Sequence, residues 1–263
     1  MSTESTSDKK SYHDKALKPK DFVETHFSHG QVPMIEECVV FPVRELHRMA
    51  SKGLLKGSKL LDFSTGATVF QLLPLAKTFK DIYVVEVSKD HMEHFQAWLD
   101  KSENATDWSH ASKRLCQLDG NREDWKEKEE DLRKAVRGVV TWENYKTTPL
   151  DPKVIPEVDC VLSVYMLNTA SETKEEFQSI LKNLVSRLKV HGQLVLFTVI
   201  DMSFYKVNEH RFSIMPLDEK TVQESVINAG MVIKQSGLMK AAEPNDLVDY
   251  SGVYYILADK VSE

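Results

Sequence analysis

From Lys59 onward, apolar and polar positions fall into alternating blocks. Short apolar runs near residues 58–63, 81–87, 139–144, 158–165 and 193–200 have the length and β-branched content of buried strands. Between them lie stretches with apolar residues three and four apart, which predict helices over 68–79, 89–101 and in two pieces between 107 and 138. A further helix opens at Thr173-x-x-Glu176, a capping box, carries the stripe Phe177, Ile180, Leu181, Leu184 and Leu188, and ends at His191-Gly192. Ahead of the alternation, Met34, Cys38, Val39, Val43 and Leu46 predict a long helix over about 32–49, with Pro42 placed to kink it. After a helix at 218–229 come two strand-like runs, Met231–Leu238 and Val253–Ala258, joined by a segment too short for a crossover helix. Those two strands must therefore pair antiparallel. The pattern predicts an α/β fold: a doubly wound, seven-stranded, mostly parallel sheet ending in an antiparallel hairpin. A helical cap over 11–52 belongs to a single domain spanning 11–263, and the polar residues 1–10 read as disordered.

Composition narrows the class. A net charge of −6 argues against a nucleic-acid partner, which needs a basic face. No apolar run approaches the roughly 18 residues of a membrane span, and MSTESTSDKK has no apolar core of a signal peptide. Cys38, Cys116 and Cys160 lack metal-ligand spacing and read as reduced, packed thiols of a cytoplasmic protein. The expected partner is a small molecule.

The chemistry concentrates in KLLDFSTGATVFQLLPLAKTFKDIYVVEVS, Lys59 to Ser88. A strand ending in Asp62 meets the turn Ser64-Thr65-Gly66-Ala67-Thr68, and a second strand ends in Glu86, 20 residues after Gly66. Such a turn presents backbone N–H groups to a ligand, and an acid at that offset can accept from ribose hydroxyls, so the unit suits an adenosine-containing cofactor. Dinucleotide sites normally carry two or three glycines in this turn; here there is one.

Other segments carry a specific likeness. Lys20-Asp21-Phe22, LLDFSTGATVFQLL, FQAWLDK followed by DWS at Asp107–Ser109, LDGNR at 118–122, KEEDLRKAV, DCVLS at Asp159–Ser163 and FYKVNEHRFSIMPL at Phe204–Leu217 resemble one family in order and interval. That family comprises the nicotinamide, phenylethanolamine and indolethylamine N-methyltransferases. The parallel sheet closed by an antiparallel hairpin is the plan of class I S-adenosylmethionine-dependent methyltransferases, a Rossmann-like fold. The resemblance implies S-adenosylmethionine as cofactor and methyl transfer to the nitrogen of a small pyridine- or amine-like acceptor.

By position, the resemblance assigns cofactor contacts to Asp62, Ser64, Thr65 and Gly66, with Thr68 and Phe70 after the turn. Glu86 takes the ribose-binding position, His91 lies beside the nucleoside, Glu143 and Asn144 fall at the adenine, and Val164 falls by the methionine portion. Phe22 and Phe27 stand where tyrosines close over cofactor and substrate in the family. The acceptor positions are Asn168, Thr198, Met202, Tyr205 and Ile214; the first two are acids, and Met202 and Ile214 serines, in the nicotinamide enzyme. No residue is assigned acid–base work; positioning of a small, rather apolar nitrogen (or sulfur) nucleophile is the implied mechanism. Two other readings stay open at this level: a degenerate, non-catalytic family member that binds cofactor or a partner, and a nicotinamide-dependent oxidoreductase.

Overall fold

In the computed structural model the described residues are 9–10, 15, 17–27, 32–120, 124–242 and 245–261. The expected disorder of residues 1–10 lies outside them except for Lys9–Lys10, a two-residue strand β1, and so does part of the LDGNR segment.

Helix α1 (Pro19–His26) begins with proline in its first turn, where the missing N–H costs no hydrogen bond. The expected long helix is three pieces: α2 (Val32–Ile35), a π-helical segment over Glu36–Val40, and α3 (Phe41–Ser51). The interruption falls just before Pro42. Proline gives no N–H to the carbonyl four residues back, that of Cys38, and Tyr165 Oη donates to this oxygen instead at 3.1 Å.

Strands β2 (Lys59–Asp62) and β3 (Asp81–Glu86) follow, then α4 (Lys89–Leu99), α5 (Ser109–Leu118), α6 (Trp125–Ala135) and β4 (Val136–Thr141). Between β2 and β3 no α-helix forms, contrary to the periodicity over 68–79; two 3₁₀ turns, Thr65–Ala67 and Leu73–Leu75, carry the chain. Pro74 and the β-branched pair Thr68-Val69 disfavour regular helix, and residues 68–76 are all buried, so apolar spacing there reports packing on all sides. The third strand starts and stops three residues earlier than its apolar run suggests, leaving Glu143 and Asn144 on the turn beyond it.

Next come β5 (Val158–Val164), α7 (Met166–Ala170), α8 (Lys174–Ser186) and β6 (Leu188–Ile200), the last longer than expected at its start. The capping reading of α8 holds, since Thr173 Oγ1 accepts the Glu176 N–H. A hairpin of β7 (Phe204–Val207) and β8 (His210–Ser213), absent from the sequence reading, pairs with β1 in a small separate sheet. Then α9 (Glu219–Asn228), β9 (Met231–Lys240) and β10 (Gly252–Lys260) complete the chain.

The main sheet has seven strands in the order β4-β3-β2-β5-β6-β10-β9. Pairings from β4 to β6 are parallel; β10 runs antiparallel to both β6 and β9, as expected. One hydrophobic core joins the cap (Phe22, Val39, Leu46) to the sheet (Leu60, Val161, Phe197).

Candidate active site

Strand order reverses between β2 and β5, and crevices at such a reversal, outside the carboxyl ends of the strands, are where open α/β sheets bind ligands. Asp62, the last residue of β2, is buried. Its Oδ1 accepts from Ser64 Oγ at 2.6 Å and its Oδ2 from Gln71 Nε2 at 3.1 Å. Burial pushes this carboxyl up to about 7, against the opposing pull of those two bonds. Ser64 Oγ also accepts the Val164 N–H at 3.0 Å, so one hydroxyl ties the end of β2 to the end of β5. Where a glycine would only make room, serine makes a joint.

Gly66 has φ +71°, and a Cβ there would lie 2.5 Å from two carbons of the Phe22 ring. The lid aromatic of α1 thus rests on the one glycine of the turn. Thr68 Oγ1 donates to the Thr65 carbonyl, and Phe70 is buried between the rings of Phe27 and Trp108; both shape the turn from behind.

Glu86, at the carboxyl end of β3, is 3% exposed. Among the described residues nothing donates to its carboxylate, and burial, then the neighbouring Asp62, raises its pKa well above the usual carboxylate range. A buried acid left without donors fits a ligand that brings hydroxyls, which is what a ribose offers. His91 is buried on α4, its Nδ1 2.6 Å from Ser88 Oγ, the residue that caps the helix. Glu143 and Asn144 are exposed at the mouth of the crevice, so neither lies in the buried part of the site. The buried aromatic at that strand end is Trp142, whose backbone N–H donates to the Glu86 carbonyl at 2.7 Å, whose indole N–H donates to the Thr148 carbonyl, and whose ring lies 5.5 Å from Phe63. Aromatic residues one step past a strand carry no sequence signal of their own, and Trp142 was not anticipated.

Beside the turn lies a second space. A cavity of about 50 Å³ is lined by Phe22, His26, Phe27, Met34, Cys38, Thr65, Tyr165, Thr169, Val199, Met202, Tyr205, Ile214, Val248 and Tyr250. Phe22, Phe27, Thr65, Met202, Tyr205 and Ile214, all named from the sequence, line it together. Thr198 and Asn168 are buried but do not line it. Asn168 is fully buried with neither atom of its amide hydrogen-bonded. Tyr165 enters from the end of β5 in the left-handed region, φ +61°, a strained setting for a bulky residue. His26 follows Phe22 by one helical turn, an i,i+4 signal that was available in the sequence. Val248 and Tyr250 come from the connector between β9 and β10. Glu37 of the π-helical segment holds that connector, accepting the Ala242 N–H at 2.7 Å and the Tyr250 hydroxyl at 3.0 Å. A larger open groove of about 700 Å³ between α1 and α5 shares only Phe27 with this cavity.

The NNMT/PNMT/TEMT family model matches residues 4–261. The chain belongs to the NNMT/PNMT/TEMT family. It is similar to indolethylamine N-methyltransferase of Oryctolagus cuniculus, 33% identical over 243 residues covering 92% of each chain. It is also similar to nicotinamide N-methyltransferase of Homo sapiens, 31% identical over 245 residues and 93% of each chain. The fold likeness extends to the N-methyltransferase NodS from Bradyrhizobium japonicum with bound S-adenosyl-L-homocysteine, at TM-score 0.53 and 10% identity, covering 94% of this chain and 100% of that one. This family member is an S-adenosylmethionine-dependent small-molecule N-methyltransferase. Among the described residues no helix is long and apolar enough to cross a membrane.

Proposed function

We propose that the enzyme methylates an uncharged nitrogen on a small, largely apolar acceptor. Among the described residues no acidic or basic chain other than His26 lines the cavity, and burial holds His26 neutral by lowering its pKa to about 4. That absence of a counter-charge is the observation that carries the reading. An alkylammonium ion would lose its hydration with no carboxylate in return, a cost of several kcal/mol in order of magnitude. The aromatic walls could attract such a cation, but the protonated form has no lone pair with which to attack. Asn168, with a donor and an acceptor both unused, suits a neutral polar group on the acceptor.

In this reading Glu86 receives the ribose hydroxyls, Thr65 and Gly66 present backbone to the methionine portion, and Asp62, Ser64 and Val164 fix that turn. His91, Glu143 and Asn144 border the nucleoside, while Thr68 and Phe70 support the turn. Met202, Ile214, Tyr205 and Phe22 wall the acceptor, with Asn168 of α7 and Thr198 of β6 buried outside that wall. When bound, S-adenosylmethionine supplies an electrophilic methyl on a sulfonium sulfur. The protein's contribution is to exclude water and align the nitrogen with that carbon, and alignment can supply about 7–11 kcal/mol in favourable systems. An engineered cavity of roughly 150 Å³ is what accommodates a benzene ring, so Phe22, His26 or Tyr205 must move for an aromatic acceptor to enter. A cytoplasmic setting belongs to the same reading, supported by three buried free thiols, Cys38, Cys116 and Cys160.

The test is transfer of labelled methyl to matched neutral heteroaromatics, arylamines and alkylamines. Preference for the neutral acceptors supports the reading; faster turnover of alkylamines overturns it. Asn168→Asp should shift the balance toward alkylamines.

A further inference from the structure

His26 sits on the last turn of α1, 4% exposed. The rings of Phe22, Tyr205 and Phe27 surround it at centroid separations of 5.1, 5.7 and 6.3 Å. A hydrogen bond to the backbone of Lys206 holds the imidazole, while Nε2 is buried with no hydrogen-bond partner among the described residues. The nitrogen that bonds a backbone carbonyl carries the proton, so Nε2 presents a lone pair. Thr65 of the proposed cofactor turn lines the same small cavity as His26. Burial keeps the ring unprotonated across the neutral range. A buried acceptor without a donor is an unusual thing for a folded protein to retain, and a ligand N–H would complete it.

We propose that His26 Nε2 accepts the N–H of the methyl acceptor, so that the enzyme selects neutral nucleophiles bearing an N–H, arylamines above all, over ring nitrogens that bear none. This rests on the neutral-acceptor reading and narrows it. As the nitrogen lone pair forms the new C–N bond, the C–S bond breaks and its electron pair stays on sulfur. The N–H proton passes to His26 Nε2 and then to water as product leaves, so the positive charge lost from sulfur departs as that proton. An azine nitrogen aims its one lone pair at the methyl carbon and has no N–H to offer, so Nε2 stays without a donor.

The experiment compares 1,2,3,4-tetrahydroquinoline with quinoline, bicyclic acceptors of similar shape and basicity that differ in the N–H. Label transfer from methyl-labelled S-adenosylmethionine is read as kcat/KM, with cofactor affinity measured by calorimetry on each variant. The unaltered enzyme should prefer tetrahydroquinoline by roughly tenfold or more, the effect of one buried hydrogen bond. His26→Phe should lower tetrahydroquinoline turnover roughly tenfold and leave quinoline within about threefold, while His26→Gln, which keeps an acceptor oxygen, should recover part of the preference. Equal use of both compounds by the unaltered enzyme overturns the role of His26, and that comparison stands even where His26→Phe fails to fold. So does a parallel loss of both substrates in the variants at unchanged cofactor affinity. Transfer to neither compound, with cofactor bound, overturns the neutral-acceptor reading and this inference with it.

Discussion

In the proposed reading Glu86 receives the ribose hydroxyls, so Glu86→Gln should move stability and cofactor affinity in opposite directions, the carboxylate being a burden without a ligand. The side chain is 3% exposed, faces Asp62, and receives no donor from the described residues. At pH 7.5 an ordinary carboxyl is ionised in the unfolded chain, whereas burial in the folded chain favours the proton and penalises the charge, so the folded state carries a cost. Glutamine has the same shape and no proton to hold. The unliganded variant should therefore be more stable and melt at a higher temperature. The sign also fixes the pH dependence. A folded pKa raised above the unfolded one means the native state holds the extra proton, so the penalty grows as pH rises above the ordinary carboxylate range. Near pH 4.5 the two proteins should melt together. Cofactor affinity should fall roughly 10- to 100-fold, the loss of charge-assisted bonds to hydroxyls. Scanning fluorimetry at the two pH values and calorimetric titration with S-adenosylmethionine read both effects. A variant that melts no higher at pH 7.5 and binds cofactor as well as the parent refutes the assignment of Glu86.

The turn yields further tests. Ser64→Gly should not tighten cofactor binding, since the hydroxyl is engaged by Asp62 and Val164, and should cost about 1–3 kcal/mol in chemical denaturation by orphaning the Val164 N–H. Gly66→Ala should destabilise by at least about 1–2 kcal/mol from its positive φ alone, and should weaken cofactor binding by displacing Phe22, read by denaturation and calorimetry. Asp62 is protonated in the folded chain up to about pH 7, so unliganded stability should fall as pH rises from about 4 to 7, and Asp62→Asn should flatten that slope. Glu37→Ala should free the Ala242 N–H and Tyr250 hydroxyl, loosening the wall formed by Val248 and Tyr250; a raised KM for acceptor at unchanged cofactor Kd is the expected signature.

What the sequence exposed and what it hid follow one division. Strands and capped helices show because their signals are local: Thr173 and Glu176 lie three apart, and an apolar run such as Val158–Val164 admits few alternatives. The antiparallel close of the sheet was legible from chain length alone. The stretch after the glycine turn misled because burial on every side imitates helical spacing, and only Pro74 argued otherwise. The proposed cofactor turn stands out in the sequence because strand, small residues and acid follow one another in order. The acceptor cavity was legible only in part, because it is assembled from α1, the π-helical segment, the ends of β5 and β6, the β7–β8 hairpin and the β9–β10 connector. Tyr250 and Cys38, more than 200 residues apart in sequence, meet there through backbone geometry that no local pattern encodes.

The account stands most directly on where the methyl group goes. The enzyme, methyl-labelled S-adenosylmethionine and an arylamine of tetrahydroquinoline type are incubated together, and the labelled product is resolved by mass and NMR. Label on the ring nitrogen, formed catalytically and reduced at least roughly tenfold in Glu86→Gln at subsaturating cofactor, is the predicted result. Binding of S-adenosylmethionine with no transfer to any neutral nitrogen acceptor would contradict it.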